Sequence, residues 1–205
     1  KKAVINVQNK DNRCFGYAIL SAVFPAGKNA CRPNKYIDYF NKVRFDGIEF
    51  PVKLSSIQKF EKLNRDFCST CKHHNCTNET HERGLAIYVF EWNKNGPSPL
   101  RISDQIGYKI RLMLLHSEDQ WHYTYTKDFH RLLRHISSYH GRLFWCDKCL
   151  YVTRYDDVME RHQEDCLGID TSPCRIIMPP KGDAVSFKNI RKQLKAPFIL
   201  YSDFE

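Results

Sequence analysis

Four residues in the C-terminal third of the chain have the types and spacing of a metal-binding finger. They form the pattern C-x2-C-x12-H-x3-C with Cys146, Cys149, His162 and Cys166. Thiolate sulfur and imidazole nitrogen are the ligands of four-coordinate structural zinc sites. A segment this small buries too little surface to fold alone, so bound metal would supply its stability. The sequence therefore predicts a C2HC zinc finger over residues 144–168.

A second group of possible metal ligands lies in the N-terminal half. It has the spacing C-x2-C-x4-C-x4-H and consists of Cys68, Cys71, Cys76 and His81. This is the spacing of a zinc knuckle with the last two ligand types exchanged. His73 and His74 are alternatives to His81 as the fourth ligand. We expect a second zinc here, against the alternative of reduced cysteines in a polar loop.

The amino-acid composition indicates the cellular compartment and the class of partner. Nine cysteines are an odd number, and C-x-x-C clustering is typical of metal sites in a reducing, intracellular compartment rather than of disulfides. The net charge of +9 permits contact with DNA without requiring it. The acidic segment before His162 favours a structural or protein-contact finger over one that reads bases. No apolar run approaches the roughly 18 residues of a membrane span, so no membrane partner is expected.

Cys14 is a candidate nucleophile. It stands at the predicted start of an apolar helix, where free N–H groups and the helix dipole favour a thiolate. Gln8 lies six residues upstream, at the offset where papain-like proteases place the oxyanion-hole glutamine. His122 begins a predicted strand, as the general base does in such folds. Trp121 could wall a narrow substrate groove.

The third member of such a site, which would hold the imidazole, stays open. Asp128 is six residues beyond His122, which is too far unless the chain turns near Lys127. Asp119 and Asp104 are nearer candidates. The alternative is that Cys14 and His122 are ordinary core residues of a helix and a strand.

Periodicity predicts an α+β arrangement in which helices precede an antiparallel sheet. Helical patterns cover residues 14–24, 34–42, 54–63 and 129–136, and a short strand covers 4–8. Period-two patterns predict strands at 85–92, 100–103, 108–115 and 121–126. We expect a papain-like domain over 1–136 with the 68–81 cluster as an insertion, then the finger. Residues 169–205 would be a linker and the start of another domain.

The chain resembles the region that precedes the protein-primed family B DNA polymerase of Polinton/Maverick-type transposons. The resemblance extends over nearly the whole chain. It is carried by the stretches Asn12–Ala22, Phe45–Leu54, His122–Leu133, the finger, and Phe187–Glu205. The last stretch is similar to the start of an exonuclease domain, with Asp203 and Glu205 as its metal-binding carboxylates, and no complete exonuclease site is present.

The resemblance implies a mobile-element origin and a location in the nucleus or cytoplasm. Papain-like proteases of this layout include deubiquitinases related to herpesviral tegument proteins. The expected activity is therefore a cysteine protease, acting on ubiquitin or another protein, in which Cys14 attacks and His122 serves as base and then acid. The alternative is a non-catalytic zinc-binding module that contacts DNA or protein. The 68–81 cluster departs from the family pattern.

Overall fold

The computed structural model describes residues 3–94, 96–117, 120–133 and 141–166, all of which belong to one compact unit. The helices are α1 (Cys14–Val23), α2 (Ile57–Leu63), α3 (Phe129–Leu133) and α4 (Asp156–Asp165), with 3-10 turns at Pro33–Lys35, Ile37–Lys42 and Leu54–Ser56. The strands are β1 (Val4–Ile5), β2 (Leu85–Asn93), β3 (Gly96–Arg101), β4 (Tyr108–Ser117), β5 (Gln120–Thr126), β6 (Phe144–Trp145) and β7 (Val152–Thr153). The α+β class is confirmed. The predicted start of an exonuclease domain lies outside the described residues.

The main sheet has five strands in the order β1-β5-β4-β2-β3. Three neighbouring pairs are antiparallel, but β2 and β4 are parallel, so the prediction of an all-antiparallel sheet is wrong. The reason is that β3 folds back along the outer edge of β2, and residues 102–107 then return the chain to the beginning of β2.

The backbones of the first residues of β2 and β4 lie in close contact. The backbone N–H of Tyr108 donates to the Gly84 carbonyl at 2.9 Å. A Cβ on Gly107 would lie 2.5 Å from the Gly84 oxygen, so only glycine fits this position. These two glycines let the parallel pair start in register, with Leu85 opposite Tyr108.

One face of the sheet is covered by α1 and α2. Every residue of α1 is buried, as expected of a helix that is apolar on all sides. Phe15 packs edge-on against Phe60 of α2 at 5.2 Å and against Tyr123 of β5 at 5.3 Å between ring centroids. Helix α1 therefore rests directly on β5, the strand that carries the candidate base.

A buried ion pair links α2 to the sheet. The Glu61 carboxylate has no exposed side-chain surface, accepts from the Ile87 backbone N–H at 2.7 Å and pairs with Arg101 at 2.6 Å. Because all its partners lie on β2 and β3, this carboxylate fixes where α2 sits against the sheet.

The opposite face of the sheet is covered by α3 and by the finger. Phe90 and Met113 pack with Phe129, and Trp145 of the finger packs against the same cluster. Arg111 on β4 forms a bidentate pair with Asp147 of the finger, with N···O distances of 2.7 and 2.8 Å. The finger is thus attached to the sheet by both an apolar contact and an ion pair.

No helix in the described part of the chain combines the length and the apolar character needed to cross a membrane.

Candidate active site and metal centres

The finger brings its four predicted ligands together. The ligand atoms of Cys146, Cys149, His162 and Cys166 all lie within 4.8 Å of one another. The sulfurs of Cys146 and Cys166 are 3.6 Å apart, and Cys149 Sγ is 3.1 Å from His162 Nε2. This group could hold a metal ion.

Local structure explains why the finger ligands converge. The β6–β7 hairpin carries Cys146 and Cys149. Leu150, in the turn that joins the two strands, adopts a φ of 61°. Helix α4 delivers His162, and Cys166 follows directly after its last turn. The core enclosed by these elements is small, with Met159 and Phe144 as its apolar side chains besides the cysteines.

The second group also converges. Cys68, Cys71, Cys76 and His81 place their ligand atoms within 4.8 Å of one another. His81 Nδ1 lies 3.2 Å from Cys71 Sγ and 3.6 Å from Cys76 Sγ. Burial opposes ionisation of Cys68, but hydrogen bonds from the Cys71 backbone and the neighbouring thiols lower its pKa to about 6. A thiolate at neutral pH suits a metal ligand.

The structure distinguishes His81 from the two alternative histidines. His73 Nδ1 contacts the His74 carbonyl at 2.6 Å. His74 Nδ1 binds Asp66 at 2.9 Å, and its ring packs against Phe67. Neither ring belongs to the cluster of ligand atoms, so the second group has one imidazole and three thiols.

Cys14 is the first residue of α1 and is only 5% exposed. Its Sγ lies 4.0 Å from the carbonyl oxygen of Trp121, against the backbone of β5. Burial raises the pKa of the Cys14 thiol, which outweighs the stabilisation offered by nearby backbone N–H groups of Tyr123 and Phe15. The resting thiol is therefore neutral at pH 7.

His122 is held by a residue that the sequence did not indicate. Its Nε2 lies 2.8 Å from Asn6 Oδ1. Strand β1 pairs antiparallel with β5, with Ile5 opposite Tyr125, so the next residue, Asn6, comes level with Thr124 and its side chain reaches His122, two residues further along β5. Burial lowers the pKa of the His122 imidazole. The ring is thus neutral at pH 7 and oriented by an amide.

The thiol and the imidazole approach the same stretch of β5 in different ways. Side chains alternate along a strand, and Tyr123 faces α1, so His122 projects from the other face. The Cys14 thiol instead meets the strand backbone at Trp121. Among the described residues, the hydrogen bond of the thiol is to this carbonyl and not to the imidazole.

The remaining predicted site residues have distinct placements. The Gln8 side chain is exposed, and its backbone N–H donates to the Cys31 carbonyl at 2.9 Å. Trp121 is 57% exposed, with its ring 4.3 Å from His116. The carboxylate of Asp128 binds Arg131 of α3 at 2.9 Å, so it is not the group that orients His122.

Two other candidates for the third group do not change this assignment. Asp119 lies outside the described residues. Asp104 lies in the loop between β3 and β4, whereas the hydrogen bond of the imidazole goes to Asn6. No short sequence pattern could have indicated Asn6, because 116 residues separate it from His122.

Comparison of the chain with protein-family models, with curated protein sequences and with solved structures gives no match.

Proposed function

We propose that this chain is a papain-like cysteine peptidase domain with two structural zinc sites. The observation that carries the proposal is the hydrogen bond that Asn6 Oδ1 forms with Nε2 of His122 on β5, the strand whose Trp121 carbonyl the Cys14 thiol contacts. Cysteine, histidine and an orienting amide are the three groups that thiol-dependent acyl transfer requires.

The orienting amide fixes the tautomer of the imidazole. Asn6 Oδ1 can only accept a hydrogen bond, so Nε2 of His122 must carry the proton. In the neutral ring, Nδ1 then holds the free electron pair and is the atom that can take a proton from Cys14. Because the pKa of His122 is lowered by burial, this basic form persists into mildly acidic solution.

The reaction then proceeds in two stages. The thiol gives its proton to His122 Nδ1, and Cys14 Sγ attacks the scissile carbonyl carbon. The backbone N–H of Cys14, with the Gln8 side chain, would bind the oxyanion. The imidazolium returns the proton to the leaving amine, and a thioester forms. Water, deprotonated by the same imidazole, releases the acid and the free thiol.

Activation must accompany substrate binding. In the free protein the thiol is neutral and bonded to the Trp121 carbonyl, so no thiolate–imidazolium pair is formed in advance. We propose that a substrate chain displaces this bond, and that the thiol and the His122 ring, which lie on opposite faces of β5, meet around the edge of β5 that β1 does not cover, since β1 pairs only with Tyr125 and Thr126. Catalytic hydrogen bonds commonly tighten only once substrate is bound.

The proposed substrate is a protein with a slender C-terminal tail, as in ubiquitin. The exposed Trp121 ring stands next to the base and would line one side of a narrow entrance to the thiol. A tail of glycines fits such an entrance, whereas bulky side chains do not. We propose that the protein works in a reducing compartment, the nucleus or the cytoplasm, because clustered cysteines without disulfides are typical of that setting.

The proposed metal at both Cys/His groups is zinc. Three thiols and one imidazole form a four-coordinate set with soft donors, which suits zinc and leaves no position open for catalysis. The finger ligands would fold residues 144–166, and the second set would close the loop between α2 and β2. Neither ion has a part in the peptidase steps.

Asn6 provides the test of this proposal. We expect Asn6→Ala to lower kcat/KM for a fluorogenic ubiquitin C-terminal amide by about 100-fold, because the imidazole loses its orientation and tautomer. Asn6→Asp should keep the geometry but raise the pKa of His122, because a carboxylate favours the imidazolium. The acid limb of the pH–rate profile should therefore move to higher pH.

The matched control is Gln58→Ala, which removes an exposed amide from α2 and should leave both rate and profile unchanged. An acid limb that stays in place in Asn6→Asp would show that Asn6 does not act through His122.

A second candidate function is a non-catalytic zinc-supported interaction module. The burial of Cys14 and its raised pKa favour this alternative, because a core cysteine has the same properties. It predicts no turnover in any variant and a Cys14 thiol that resists alkylation in the folded protein.

A further inference from the structure

A cleft runs between the sheet and the finger, and none of Cys14, His122 and Asn6 lines it. It consists of a cavity of about 670 Å³ and an adjoining one of about 400 Å³, which share Lys109, Arg111 and Trp145 as lining residues. Its walls come from β4, from the end of β5 and from the hairpin of the finger. The peptidase proposal assigns no role to it.

Cationic side chains dominate the accessible rim of the cleft. Lys127 and Arg142 are exposed and form no ion pair among the described residues. Lys109 is 56% exposed and only 3.9 Å from Asp147, a carboxylate already bound closely by Arg111. Three acids line the cleft: Asp147 and Asp128 pair with arginines, and Asp156 is exposed. Four cationic residues line the same cleft, so the lining carries a surplus of one positive charge.

The floor of the cleft holds polar atoms without partners. Thr126 is only 4% exposed, and its Oγ1 has no hydrogen-bond partner within the described ranges. Nε2 of His130, which lines the larger cavity, is also buried and has no hydrogen-bond partner in the described part of the chain. Buried polar groups are normally hydrogen-bonded, so two such atoms at one cleft indicate a ligand that supplies acceptors and donors.

We propose that this cleft binds single-stranded nucleic acid. Phosphates would contact Lys109, Lys127 and Arg142, and the sugar or base edges would satisfy the hydroxyl of Thr126 and the ring of His130. Tyr108 and Phe144, also on the cleft wall, offer rings near the bases. Cavities of a few hundred Å³ accommodate a few nucleotides of one strand and do not admit a duplex.

The first measurement is fluorescence anisotropy of a labelled oligothymidylate of about 20 nucleotides, titrated with the full chain at several salt concentrations. The triple variant Lys109→Ala/Lys127→Ala/Arg142→Ala should bind at least about tenfold more weakly than wild type. Three phosphate contacts correspond to a log–log salt dependence of about −2, which the variant should lose.

The matched control is Lys35→Ala/Lys53→Ala/Lys62→Ala, which removes the same charge from exposed positions in the helical layer. It should bind within about twofold of wild type. Equal losses of affinity in the two triple variants would show that only net charge matters, and would overturn the proposal. Failure of wild type to bind at low salt, or equal binding of the matching duplex, would also overturn it.

Two further experiments test the cleft separately from protein folding and from the peptidase proposal. Photo-crosslinking of wild type to a 5-iodouracil strand should label peptides containing Tyr108 or Phe144, and labelling confined to other regions would contradict the assignment. Cys14→Ala should bind the strand as wild type does. Competition by polyglutamate at equal charge would indicate an acidic protein partner instead, and would contradict a nucleic-acid site.

Discussion

Cys14→Ala should abolish hydrolysis of a ubiquitin C-terminal amide, with a fall in kcat/KM of at least about 1,000-fold. The thiol is the only group at the start of α1 that can form the acyl intermediate, so nothing replaces it. His122→Ala should cost a similar factor, because the buried thiol has a raised pKa and needs a base. The two losses should not add in the double variant, because the two groups act as a unit.

The control for this pair is Cys31→Ser, which removes an exposed thiol outside both metal groups. It should leave turnover unchanged. The thermal midpoint of Cys14→Ala should stay near that of wild type, because the change removes one sulfur from a buried helix. Turnover that survives in Cys14→Ala would contradict the assignment of the nucleophile.

Loss of the finger metal should unfold the finger. Apparent binding free energies of structural zinc are about 10–16 kcal/mol, whereas the apolar core of the finger is only a few side chains. Cys146→Ser should therefore remove one of two bound zinc ions and expose the amides of residues 144–165 to rapid hydrogen exchange. The measurement is metal content by mass spectrometry, paired with exchange rates.

Cys71→Ser is the matched change in the other group and should also leave one zinc, but with the finger amides still protected. Cys31→Ser should retain two. Protected finger amides in Cys146→Ser would mean that packing on the sheet, through Trp145 and the Arg111–Asp147 pair, suffices without metal.

The sequence could predict those features that depend on residues close together in the chain. The spacing of Cys146, Cys149, His162 and Cys166 is set by one hairpin and one helix, and these four predicted ligands do lie together. Helix α1 follows from its apolar run and its end before Pro25. Strands β2, β4 and β5 follow from alternation, whereas β3 begins at Gly96, four residues before the predicted strand 100–103.

What the sequence could not predict depends on pairing between distant segments. The parallel pairing of β2 with β4 requires the return path of residues 102–107 and the close contact of two glycines. Asn6 reaches His122 only because β1 adds to the far edge of β5. Asp128 is not the orienting group because the chain enters α3 at once, where its carboxylate binds Arg131.

The docking of the finger on the sheet is another long-range feature. Arg111 and Asp147 are 36 residues apart, and each alone looks like a solvated charge. Their bidentate pair, with the contact between Trp145 and Phe129 at 5.8 Å, turns a separate finger into one wall of the basic cleft. The cleft therefore arises from tertiary structure, and no sequence motif predicts it.

The measurement that tests the central claim most directly is the reaction of the Cys31→Ser protein with ubiquitin propargylamide, followed by peptide mapping. A peptidase site predicts one adduct, on Cys14, which is absent in Cys14→Ala and formed far more slowly in His122→Ala. No adduct, in a zinc-loaded protein whose Cys14 alkylates only after unfolding, would contradict the peptidase site and leave the zinc-supported interaction module as the function.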